Sequence, residues 1–114
     1  FDAVIDVASL CCNDREKTRQ IFLKAFKKLK VGGKFFSTAL GKGVVGYEEG
    51  MGDFFEPKEG IYTNVGKLRF DDELSLKELY AHENFKCLSL STQILENDGV
   101  VLDKLLIFEG LKNA

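Results

Sequence analysis

Tryptophan is missing from these 114 residues, proline and histidine occur once each, and cysteine only three times. An odd number of cysteines, with Cys11 and Cys12 adjacent and Cys87 far off, makes neither a disulfide framework nor a metal-binding spacing. Reduced thiols in a cytoplasmic setting are therefore expected, with buried packing as the ordinary fate of Cys11 and Cys12. The lone His82, beside Glu83 and Asn84, reads as a solvated cation at a helix end rather than a base. An excess of one charge is also lacking. With 16 basic and 18 acidic residues the net charge is −2, which excludes the long-range field that draws a protein to nucleic acid or to an anionic membrane. No apolar run approaches the roughly 20 residues of a spanning helix, and no signal-peptide pattern opens the chain. Methionine occurs once, at Met51, and the chain opens at Phe1 inside an apolar run. These residues are accordingly expected to be the later part of a longer polypeptide.

What is present has a clear order. Ala3-Val4-Ile5-Asp6-Val7-Ala8 is a short β-branched run of the kind covered on both faces of a parallel sheet. Asn13 or Asp14 can cap a helix, with Glu16 in a capping-box-like position. Ile21, Phe22, Ala25, Phe26 and Leu29 then build one apolar stripe. Lys27, Lys28 and Lys30 complement the dipole at its end, and Gly32-Gly33 are expected to turn the chain out of the helix. Lys34 to Leu40 reads as the next strand, so strand, helix, strand implies a right-handed parallel crossover.

From Gly41 to Gly66 the character changes, with glycines at 41, 43, 46, 50, 52, 60 and 66, the only proline (Pro57) and no sustained period. A long loop is expected, of the kind that serves as a lid or binding segment. Ser75-Leu76-Lys77-Glu78 reads as a capping box opening a short second helix. Cys87 to Ile94, an Asp98-Gly99 turn, and apolar runs at Val100–Leu102 and Leu105–Phe108 predict a closing antiparallel hairpin. The fold class is α/β in a single domain, 1–114, with a mixed sheet.

Two features bear on chemistry. Asp6 lies near the C-terminal end of a parallel strand, where ligands bind in open α/β sheets; it is either a general base or a carboxylate satisfied by neighbouring donors. Gly41-Lys42-Gly43-Val44-Val45-Gly46 matches the dinucleotide-binding pattern and follows a strand. No helical period follows the glycines, so the helix N-terminus that would receive a pyrophosphate is not expected.

Taken together, Phe1-Asp2-Ala3-Val4-Ile5-Asp6, the run Phe26 to Phe36 with Val31-Gly32-Gly33 at its turn, Ser75 to Tyr80 leading to Asn84-Phe85, and the final hairpin resemble the C-terminal half of a class I S-adenosylmethionine-dependent methyltransferase. Val31 stands where that family usually has proline. The resemblance implies a partial Rossmann-like sheet, parallel strands with helices plus the antiparallel hairpin, from which the N-terminal cofactor-binding half is absent. It implies that Asp6, Val7, Ala8, Ser9 and Leu10 line the methyl donor. Tyr47, Glu48, Tyr62, Arg69 and Phe70 would then contact a small-molecule acceptor, with Arg69 as a clamp for a carboxylate through its planar fork; the alternative is that Phe55, Tyr62 and Phe70 cover the sheet edge as core and Arg69 pairs with Asp71 or Asp72. By the same resemblance the chain alone binds S-adenosylmethionine weakly or not at all. No metal is expected. A strand at 2–8 deprived of a neighbour predicts pairing with a second copy, and a non-catalytic assembly module is the alternative function.

Overall fold

The computed structural model describes residues 1–114. Its chain forms one six-stranded mixed sheet with two helices packed on one face. Strand β1, Ala3–Val7, ends at a tight turn whose residues Leu10–Cys12 form a single 3-10 coil. Helix α1, Arg15–Lys28, follows, and Asp14, not Asn13, is its cap, accepting from the Lys17 amide at 2.8 Å. Strand β2, Lys34–Gly41, pairs parallel with β1 from Ala3↔Lys34 to Val7↔Thr38, completing the expected crossover.

The helix-to-strand hinge works differently from the sequence expectation. Leu29, at the helix end, is already extended with ψ 130°, so no left-handed residue closes α1. Gly32, at φ +86°, instead sits third in a separate turn closed by the Gly33 amide donating to the Lys30 carbonyl at 2.8 Å. Two carbonyls at the end of α1 are met from the far end of the chain, where the Lys112 ammonium donates to Phe26 at 2.9 Å and Leu29 at 2.7 Å. Gly33 is needed for space, since a Cβ there would lie 2.8 Å from the Lys30 carbonyl oxygen.

The segment expected as a loop carries β3, Phe54–Phe55, which pairs antiparallel with β4, Leu68–Asp71, just beyond it. Strand β4 also pairs parallel with β2 at Leu40↔Phe70 and Gly41↔Asp71, on the edge of β2 that β1 occupies lower down. Helix α2, Glu73–Leu79, begins earlier than predicted. Asp72 caps it, accepting from the Ser75 amide at 2.7 Å, while the Ser75 hydroxyl accepts from the Asp72 amide at 3.0 Å. Ser75 is thus the third residue of the helix, not its cap. Strands β5, Phe85–Asn97, and β6, Val100–Lys112, form the expected hairpin around Asp98 and Gly99, both at positive φ, and β6 lies antiparallel on β2.

Strand alternation divides the core. Val4, Phe35, Ala39, Leu106 and Phe108 face the helices, where Phe22 and Phe26 of α1 and Leu76, Leu79 and Tyr80 of α2 close over them. Phe22 sits among Phe35, Tyr80 and Phe85 at centroid separations of 5.2, 5.1 and 5.3 Å. Burial of each such side chain stabilises by roughly 1.5–3 kcal/mol. On the other face, Leu40 and Leu105 meet Val44, Phe55, Leu68 and Phe70, so the glycine-rich segment builds a second core. Further down that face Ile5 and Val7 are 69% and 71% exposed, and the outer edge of β1 has no partner.

Candidate functional site

The carboxyl ends of β1 and β2 meet at the turn from Val7 to Asn13, and Asp6 organises it. A polar side chain on the helix-facing side of an apolar strand must find donors there. Oδ1 of the buried Asp6 accepts from the Ser9 amide at 3.0 Å, the Leu10 amide at 3.1 Å and the Ser9 hydroxyl. Oδ2 accepts from the Ser37 hydroxyl at 2.7 Å, and Ser37 continues to the Tyr80 hydroxyl at 2.9 Å. Four donors converge on one carboxylate. Of the two readings the sequence leaves open, the geometry favours the satisfied anchor, with the carboxylate buried and both oxygens engaged.

That anchoring bends the chain sharply. Ala8 takes φ +58°, a conformation costly for a residue with a Cβ, and its amide donates to the Thr38 hydroxyl at 2.9 Å. As a result Val7, Ala8 and Ser9 stand exposed while Leu10 and Cys11 turn inward. Burial, then the neighbouring Cys12, pushes the Cys11 thiol up to about 12, and its Sγ lies 3.3 Å from the Ala8 carbonyl. Cys11 is therefore a protonated packing group. Burial likewise pushes the Tyr80 phenol up to about 12.

On the other side of the turn lies a buried ionic cluster. Arg69 is fully buried, its Nε donating to Asp71 at 2.8 Å and its Nη1 to the carbonyls of Leu10 at 3.0 Å and Asn13 at 2.9 Å, and to the Thr18 hydroxyl. Nη2 has no partner. Asp71, equally buried, also accepts from Arg15 at 3.0 Å and from the Ser75 hydroxyl at 2.7 Å. Of the two roles the sequence allows Arg69, the structure has the pairing with Asp71: Nε and Nη1 are bound to the protein, and the side chain is inaccessible to a substrate carboxylate.

Of the other residues expected to face an acceptor, Tyr47, Tyr62 and Phe70 come together, with Tyr47 and Phe70 centroids 5.6 Å apart, but as parts of the second core. Phe70 is 1% exposed and offers nothing to a ligand. The half-buried Tyr62 hydroxyl donates to Asp103 at 2.5 Å, and burial with that bond raises its pKa. Glu48, next to Tyr47, is exposed. The Gly41–Gly46 segment runs on into turns with no helix behind it, so the dinucleotide pattern lacks its anion-binding element. No three or more His, Cys, Asp or Glu side chains gather where a metal could be held.

Sequence reasoning missed Thr18, Ser37 and Tyr80. Two of them had a signal. Thr18 lies four residues before Phe22 on the apolar stripe, and Ser37 falls opposite Asp6 in register.

No protein-family model matches this chain, and no curated protein does. Solved structures do resemble it. A SAM-dependent methyltransferase from Methanosarcina mazei superposes with TM-score 0.72 at 16% identity, over 99% of this chain and 59% of that one. The 1,6-didemethyltoxoflavin-N1-methyltransferase of Burkholderia thailandensis, solved with 1,6-didemethyltoxoflavin and S-adenosylhomocysteine bound, gives 0.67 at 17%, over 100% and 44%. An S-adenosylmethionine-dependent methyltransferase from Clostridium acetobutylicum gives 0.63 at 14%, over 100% and 59%. The fold is thus that of part of a class I methyltransferase domain, as its C-terminal half would be, and the chain spans 44–59% of the length of these structures.

Proposed function

We propose that this chain is the C-terminal part of a domain that transfers a methyl group from S-adenosylmethionine to a small-molecule acceptor. The observation that carries the reading is the superposition of nearly the whole chain on the M. mazei methyltransferase at TM-score 0.72. The turn at the end of β1 fits a donor-lining role. Val7, Ala8 and Ser9 are exposed at the end of a parallel strand, with backbone fixed from behind by Asp6 and Thr38.

The residues present suit one wall of such a site, not the whole of it. Every oxygen of Asp6 is engaged, and the glycine pattern at 41–46 opens no helix, so neither supplies a place for a ribose diol or a charged methionine group. The 114 residues by themselves are expected to bind S-adenosylmethionine weakly or not at all. When bound, the sulfonium supplies an activated methyl group that passes in line to the acceptor nucleophile and leaves the donor as a neutral thioether. Since the leaving group needs no proton, this chain's part is to hold the donor wall rigid and keep water away. The exposed Glu48 and the half-buried Tyr47 and Tyr62 are the members of the acceptor set left for contact with substrate, and the free cysteines suit a reducing, cytoplasmic setting.

A second reading rests on the unpaired edge of β1 beside Ile5 and Val7. There the chain assembles with a second copy and performs no chemistry. Calorimetry on the chain extended by its natural upstream residues separates the two. Saturable S-adenosylmethionine binding by the extended chain is expected, with none by the 114 residues. A folded extended chain that binds no donor, together with a stable dimer in sedimentation, replaces methyl transfer with assembly.

A further inference from the structure

We propose that Arg69 and Asp71 are positioning residues, which hold the Leu10–Asn13 turn in register through contacts made from the acceptor side of the molecule. The inference rests on the methyl-transfer reading for its functional meaning, but its structural content does not depend on it. A buried ion pair is weak evidence for stability, because apolar residues of the same volume often serve as well or better. Arg69 moreover leaves Nη2 buried without a partner, a further cost. What distinguishes this arginine is geometric. A single planar fork reaches two carbonyls of the turn, Leu10 and Asn13, the Thr18 hydroxyl on α1, and the Asp71 carboxylate on its own strand. Asp71 then passes the connection on, to Arg15 at the start of α1 and to Ser75 in the first turn of α2.

The turn is consequently gripped twice. Asp6 holds its amides from β1, while Arg69 holds its carbonyls from β4, the strand that brings the chain back from the glycine-rich insertion onto β2. Donor wall and acceptor segment are therefore mechanically one unit. A shift of β4 or of the start of α2 moves the carbonyls of Leu10 and Asn13, and with them the backbone of Ser9.

Amide exchange on the 114-residue chain tests this, because the amides of Ser9, Leu10, Cys12 and Asn13 are each hydrogen-bonded. Arg69→Met is expected to speed their exchange by about tenfold to a hundredfold, the equivalent of a lost charged hydrogen bond, while central β2 and β6 amides change far less. Arg69→Lys, which can still donate to the two carbonyls, is expected to restore part of the protection. Should Arg69→Met fail to fold, Asp71→Asn, which keeps the shape and withdraws the charge, is expected to loosen the same amides to a lesser degree. Equal loosening of turn and strands, or no loosening at the turn, overturns the positioning role whatever the chain's activity. In the extended chain, the same variants are expected to weaken S-adenosylhomocysteine binding while sparing the fold. Binding unchanged beside a loosened turn overturns the link between this grip and the donor site.

Discussion

Asp72 shows how much one residue decides. Its carboxylate caps α2, and the hydrogen bond from the Ser75 amide, aided by Lys42 at 3.8 Å, holds its pKa below the ordinary 3.8 despite some desolvation. A depressed folded value means that the contribution is fully present above pH 3.8 and is lost as pH falls through the folded value. Asp72→Asn keeps the cap but not the charge. The stability difference between the two proteins is thus expected to be constant from pH 7 to 5 and to shrink below pH 3.8, as read by urea denaturation. A gap that does not change with pH would contradict the electrostatic part of the cap.

Gly60 is a second such position. At φ +88°, a Cβ there would lie 2.4 Å from the Val45 carbonyl oxygen, and Gly46 meets Glu59 in the same way at 2.2 Å. The two glycines let the ends of the insertion close on each other. Gly60→Ala combines backbone strain with a backbone clash, so a loss of about 2 kcal/mol or more is expected. Thermal or urea unfolding checks it, and a loss within 0.5 kcal/mol, the usual range for surface substitutions, would contradict the packing described.

Among the elements, α1, β1, β2 and the hairpin were legible because each carries its own signal: an apolar stripe, a β-branched run, a turn pair between two strands. Strand β4 was not. Leu68-Arg69-Phe70-Asp71 has alternation over only four residues, and it becomes a strand because β2 continues beyond the end of β1 and leaves an edge to fill. The same tertiary cause hid the candidate site. Arg69 was left between a clamp and a partner of Asp71 because no local pattern shows that both faces of its strand are covered, whereas Asp6 was found because the end of a parallel strand is a position that topology alone singles out. The hinge was half legible. The glycines mark the turn, but the cation that satisfies the end of α1 comes from residue 112. Lys112 also lies 4.5 Å over the Phe26 ring. Lys112→Met is expected to cost about 1–2 kcal/mol through the two lost carbonyl partners. Faster amide exchange confined to the last turn of α1 and the adjoining hinge is its signature, and unaltered exchange there would contradict the cap.

At the scale of the whole molecule, two helices cover one face and a glycine-rich insertion covers part of the other. The remainder, with Ile5 and Val7, stays open beside the free edge of β1. A parallel strand is ordinarily covered on both faces and flanked on both edges, so under the proposed function this open side is where the rest of the domain would pack. It also adjoins the turn at Val7 to Leu10. Nuclear magnetic resonance titration of the upstream-extended chain with S-adenosylhomocysteine is the most direct measurement. The account predicts saturable shifts concentrated on the amides of Val7, Ala8, Ser9 and Leu10, with the distal hairpin around Asp98 unmoved. Binding that leaves those four amides unshifted, or no binding by a folded chain, would contradict it.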